Sequence, residues 1–130
     1  MARKILIVEN STDDREIMRI TLNEMGRKEE LEFAPSGAVA LQCLREWQEL
    51  PSLIFLDLKF PGMSGIDILR QIKADECFDD IPVVVVSGSS NPEEEKEVIN
   101  AGADGFIFKN IDLEKFSFDI NGVLQRFLEC

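Results

Sequence analysis

Leu53-Ile54-Phe55-Leu56-Asp57, continuing through Leu58-Lys59-Phe60-Pro61-Gly62-Met63-Ser64 to Gly65, is the stretch on which the fold turns. Four apolar residues run without a break into one acid, and a Pro-Gly turn follows within five residues. An uninterrupted apolar run of this length predicts a strand buried on both faces, the kind found in parallel sheets. Asp57 then stands where the strand stops, at the carboxyl edge of the sheet, where open α/β sheets bind ligands and do chemistry. Taken alone, an Asp before Pro-Gly reads as the start of a turn. The rest of the chain decides between the two.

Working outward, strand-like runs alternate with helical patterns. Ile5–Val8 precedes a helical segment with Met18, Leu22 and Met25 on one face, capped by Ser11, Thr12 or Asp13 and closed by Gly26. Leu31–Ala34 is a weaker strand, interrupted by Glu32. A helix with Ala40, Leu44 and Trp47 on its buried stripe follows, broken by Pro51 before the Leu53 strand. Beyond Gly65, Ile66, Leu69 and Ile72 mark a third helix, and Ile81–Val86 is the most β-branched run. Asn91-Pro92 opens a fourth helix, ending at Ala101-Gly102. Phe106-Ile107-Phe108 is the last strand, and Phe116, Ile120, Val123 and Phe127 stripe the last helix. Five strands alternating with five helices predict an α/β fold, a doubly wound parallel sheet with helices on both faces. No linker or repeat divides the chain, so residues 1–130 are expected to form one domain.

Composition removes several function classes. The net charge of −11, from 25 acids against 14 bases, argues against nucleic acid as a partner, since phosphate contacts need clustered Lys and Arg. The chain has no histidine, which removes Ser-His-Asp and Cys-His catalysis. Cys43, Cys77 and Cys130 are widely spaced and form no zinc-binding pair, and reduced thiols in a cytoplasmic protein are the expectation. The amino-terminal apolar run is a strand rather than a signal peptide, and nothing approaches a membrane span. Glu93-Glu94-Glu95 suits a solvated first helical turn.

Right-handed crossovers bring the carboxyl ends of the strands to one edge. That edge collects Glu9 and Asn10 after the first strand, Asp57 after the third, Ser87 after the fourth and Lys109 after the fifth. Carboxylates sharing a crevice repel and call for a cation. Lys109 supplies one charge, and a hard ion such as Mg2+, held by few carboxylates and water, would supply more. A phosphoryl group entering there would meet a metal, an ammonium, a hydroxyl and backbone amides around a carboxylate nucleophile.

With these motifs in order (ILIVEN, FLDLKFPGMSG, PVVVVSGS and AGADGFIFK), the chain resembles the receiver domain of a two-component response regulator, of the stand-alone, chemotaxis-regulator-like type, from about Arg3 to Leu128. The resemblance implies a flavodoxin-like sheet with strand order 2-1-3-4-5. It implies a phosphorylation-controlled switch without an output domain, acting by protein–protein interaction or within a phosphorelay and catalysing only its own phosphotransfer and dephosphorylation. Asp57 would take the phosphoryl group from a sensor histidine kinase or phosphotransfer protein. Glu9, Asn10, Asp57 and the backbone carbonyl of Lys59 would organise Mg2+, Ser87 and Lys109 would bind the phosphate, and Phe106 would swing as Ser87 moves. The downstream target is not named by the sequence, and a homodimer is left open.

Two positions depart from the family pattern. Asn10 stands where a second acid is usual, so weaker Mg2+ binding is expected unless Asp13 or Asp14 reaches back. Asn110 stands where a proline usually follows the lysine, which argues against a cis peptide there, since that bond costs ~2.5–4 kcal/mol without proline. The Lys59 ammonium either points to solvent or approaches the phosphate. A flavin-binding module on the same topology would need a glycine in the loop after the first strand, where NSTDD has none. A receiver-like domain that never takes phosphate finds its only support in Asn10.

Overall fold

A computed structural model describes residues 3–27, 29–58, 64–89 and 91–128. The elements run β1 (Lys4–Val8), α1 (Thr12–Glu24), β2 (Glu30–Ala34), α2 (Gly37–Glu46), β3 (Leu53–Asp57), α3 (Gly65–Ala74), β4 (Val83–Ser87), α4 (Pro92–Asn100), β5 (Gly105–Phe108) and α5 (Leu113–Leu128). The strands form one parallel sheet in the order β2-β1-β3-β4-β5, as expected. Every residue of β3 and of β4 is buried, which is why both read as unbroken apolar runs.

Because strand side chains alternate, the sheet builds a core on each face. Leu6, Val8, Ile54, Leu56, Val83 and Val85 meet α2, α3 and Val98 of α4 on one side. Ile5, Ile7, Leu53, Phe55, Val84 and Val86 meet α1 and α5 on the other. Side-chain caps start all five helices: Ser11 accepts from the Asp14 amide, Ser36 from Val39, Ser64 from Asp67, Asn91 from Glu93 and Asp112 from Glu114. Of the three candidate caps of α1, the structure therefore selects Ser11. Gly26 and Gly102, at φ 66° and 110°, take the left-handed conformation that ends α1 and α4.

Three local expectations shift. The fully buried stripe of α5 is Phe116, Ile120, Leu124 and Leu128, while Val123 and Phe127 pack at its margin. Ile68 joins Leu69 and Ile72 as the buried set of α3, with Ile66 at the edge. β4 begins at Val83, whose amide donates to the Asp104 carboxylate at 2.9 Å, instead of at Ile81, because Pro82 has no N–H to offer a ladder. Trp47 caps α2 and packs against the core, with the Lys4 ammonium 4.0 Å from its ring centroid.

Candidate functional site

Register places the polar residues side by side. Val8 pairs with Leu56, so Glu9 emerges beside Asp57; Asp57 pairs with Val86, so Ser87 emerges one step on. Ser87 pairs with Phe108, and the Lys109 amide donates to the Ser87 carbonyl at 2.7 Å, carrying the ladder to the edge. The crevice therefore follows from strand lengths and pairing alone.

Within it, the Lys109 ammonium is the hub. It lies 2.7 Å from Glu9 Oε1, 2.8 Å from Asp14 Oδ2 and 3.4 Å from Asp57 Oδ1. Glu9 and Asp57 are buried carboxylates, whereas Asp14 keeps one side to solvent. Burial pushes the Glu9 carboxyl up to about 7, reinforced by a hydrogen bond with Asp57 that needs a proton and only partly opposed by Lys109. Burial by itself would lower the Lys109 ammonium. Its bonds to Asp14 and Glu9 and the charge of Asp57 outweigh that and hold it protonated well above the usual lysine range.

The loop after β1 is braced by Arg15. Its Nη1 donates to the carbonyls of Glu9 at 2.8 Å and Asn10 at 3.2 Å, and its Nη2 donates to Thr12 Oγ1 at 3.2 Å. Asn10 is exposed, and the acid that joins Glu9 at Lys109 is Asp14. Ser11 explains the choice between Asp13 and Asp14: capping α1 through the Asp14 amide sets the helix phase so that Asp14, not Asp13, faces the crevice. On the other side, Gly65 starts α3 hard against the end of β3. A Cβ there would lie 2.6 Å from both the Asp57 carbonyl oxygen and Leu58 Cα, so only glycine lets the helix pass so close.

Ser87 is buried, and its hydroxyl donates to Glu94 Oε1 while accepting from the Ser89 amide at 3.1 Å. Phe106 pairs with Val85, two residues before Ser87, so the two side chains share the α4-side face diagonally. All described peptides are trans, including the one between Lys109 and Asn110. Lys59 lies outside the described residues. Asp14, Arg15 and Glu94 are the polar partners that sequence reasoning did not assign, apart from Asp14 as one of two acids able to reach back.

Three carboxylates facing one ammonium leave surplus negative charge, and their donors are all oxygen, the chemistry a hard divalent cation requires. Among the described residues no three acidic, His or Cys side chains converge tightly enough to hold a metal unaided. The set fits Mg2+ in its usual manner, with one or two carboxylates, backbone oxygen and retained water. Next to the crevice, a cleft of about 250 Å³ runs between Glu9, Asp14 and Lys109 and the apolar side chains of Ile17, Met18 and Phe116.

A family model of the response regulator receiver domain matches residues 5–121. Over 122 residues the chain is 34% identical to a probable cyclic di-GMP phosphodiesterase of Vibrio cholerae, covering 94% of this chain and 26% of that protein. It spans 53% of several other curated relatives. The Pseudomonas aeruginosa chemotaxis protein CheY is 30% identical over 123 residues, covering 95% of this chain and 97% of its own. Among solved structures, the phosphorylated cyanobacterial phytochrome response regulator RcpA superimposes with a TM-score of 0.88 at 27% identity, covering 98% of this chain and 95% of its own. The Mn(2+)-bound form of response regulator Rcp1 gives 0.85 at 26% identity, covering the same 98% and 95%.

Proposed function

From the premise that the chain belongs to the response regulator receiver domain family, and so is a phosphorylation-controlled signalling switch, we propose that Asp57 is its phosphoryl acceptor. The supporting observation is the Lys109 ammonium 3.4 Å from a buried Asp57 carboxylate at the sheet edge, with Glu9 beside both. An Asp57 oxygen attacks phosphorus in a phosphohistidine of a sensor kinase or phosphotransfer protein. The new O–P bond forms as the P–N bond breaks, and the electron pair leaves with the imidazole nitrogen. Lys109 stays protonated throughout and stabilises the charge on the transferring oxygens. Glu9, Asp57 and the backbone carbonyl of Lys59 would hold Mg2+, which when bound neutralises charge on the phosphoryl oxygens. Ser87 would turn its hydroxyl to the phosphoryl group, and Phe106, on the same face, would follow.

Catalysis on this reading is confined to the chain's own phosphotransfer and dephosphorylation. Ile99 on α4, Leu113 and Phe118 on α5 and Ile111 just before α5 are exposed apolar side chains, contacts that a downstream protein or a second copy could use. No described helix is long and apolar enough to cross a membrane. A cytoplasmic location, where the phosphoryl donors act, completes the proposal. The test is incubation with acetyl phosphate and Mg2+ followed by intact-mass measurement. One phosphoryl group should be added to the parent chain and none to Asp57→Asn; phosphate persisting in that variant would place the acceptor elsewhere.

A further inference from the structure

Hydrogen bonds between the end of β4 and the start of α4 gather around one hydroxyl. The Ser89 amide donates to Ser87 Oγ at 3.1 Å, the Asn91 amide to Ser89 Oγ at 3.2 Å, and the Glu94 amide to the Asn91 carbonyl at 3.1 Å. The ring closes where Ser87 Oγ donates to the Glu94 carboxylate. Glu94 occupies the third position of α4, from which a glutamate ordinarily reaches back to the amide of its own cap residue. Here the Asn91 amide is already taken by Ser89, and the Glu94 carboxylate is turned to Ser87 instead.

A serine hydroxyl has a single proton to give. While Glu94 holds it, Ser87 has none for a phosphoryl group on Asp57, and the two anions compete for one donor. We infer that Glu94 is a positioning residue that latches the Ser87 hydroxyl to α4 in the unphosphorylated chain and must release it when Asp57 is phosphorylated. The inference rests on the phosphoryl-acceptor reading of Asp57 and adds to it a residue that sets the switching equilibrium. Release leaves the Glu94 carboxylate without its buried partner, so the first turn of α4 loses its tie to β4 at the moment the phosphoryl group forms. Chemistry at Asp57 is thereby linked to the position of α4 through one exchanged hydrogen bond.

Beryllofluoride, a phosphoryl analogue, measures the competition without turnover. Its affinity in Mg2+ is determined by calorimetry for the parent chain, Glu94→Gln, Glu94→Ala, Ser87→Ala and the double variant. Removing the latch should tighten binding about tenfold in Glu94→Ala, equivalent to about 1.4 kcal/mol, with Glu94→Gln in between because its amide oxygen still accepts. In the Ser87→Ala background the same Glu94→Ala change should alter affinity less than twofold, since no hydroxyl remains to hold. Simple removal of a negative charge from α4 would act equally in both backgrounds, and that result would overturn the inference. Unchanged affinity in Glu94→Ala, with the parent binding normally, would overturn it too. A parent chain that binds no beryllofluoride would instead reject the phosphoryl-acceptor reading on which it stands.

Discussion

Replacing Lys109 by Met tests whether one ammonium holds this crevice together. At 4 Å and an effective dielectric near 20, each ion pair is worth ~4 kcal/mol before desolvation, and Lys109 faces three carboxylates at 2.7, 2.8 and 3.4 Å. The half-open Asp14 is screened by water and contributes little. Glu9 and Asp57 are buried, and stripping a buried pair of one partner costs ~3–5 kcal/mol. Glu9 offers partial relief: its carboxyl, already raised to about 7, can take a proton in place of the ammonium. At pH 8 in metal-free buffer the variant should therefore lose ~3 kcal/mol. With a urea m-value of ~2 kcal/mol/M, its unfolding midpoint, followed by Trp47 fluorescence, should fall by ~1.5 M. The loss should shrink to about half at pH 6, where Glu9 is largely protonated, and millimolar Mg2+ should restore part of it at pH 8. A variant within ~1 kcal/mol of the parent at pH 8 without metal would show that the carboxylates do not depend on Lys109.

Two further outcomes follow from the same crevice. The folded chain holds the Glu9 proton more tightly than the unfolded chain, at about 7 against 4.5, so this residue makes stability fall as pH rises through that window, by on the order of 3 kcal/mol; metal-free urea titrations of Glu9→Gln should lack that slope, and parallel pH profiles for variant and parent would contradict it. Asn10→Asp should tighten Mg2+ about tenfold by calorimetry, since it adds a charged oxygen beside Glu9; equal affinities would mean that Asp14 already supplies that charge.

The sheet and the gathering of its polar ends were legible because both rest on long-range regularities. Unbroken apolar runs at Leu53–Leu56 and Val83–Val86, bounded by turn residues, read as strands covered on two faces, and parallel pairing with right-handed crossovers then sends Glu9, Asp57, Ser87 and Lys109 to one edge. No helix phase needs to be known for that. Phase is what tertiary packing decided. Leu124 and Val123 are equally apolar neighbours, and only the docking of α5 against the Ile107 face determined that Leu124 went inward. Asp13 and Asp14 are identical in chemistry, and the Ser11 cap together with the seat of α1 on Ile5 and Ile7 brought Asp14 to Lys109. Glu94 reads from its neighbours as one acid of a solvated helical turn. It reaches the Ser87 hydroxyl because hydrogen bonds from the Ser89 and Asn91 amides bring the start of α4 back toward the end of β4. Such contacts are settled by displacements of an ångström or two and a choice of rotamer, for which residue type and spacing carry no signal. Strand order and edge chemistry are coarse enough to survive those displacements, so the place of Asp57 at the sheet edge was readable in the chain while the partners of its neighbours were not.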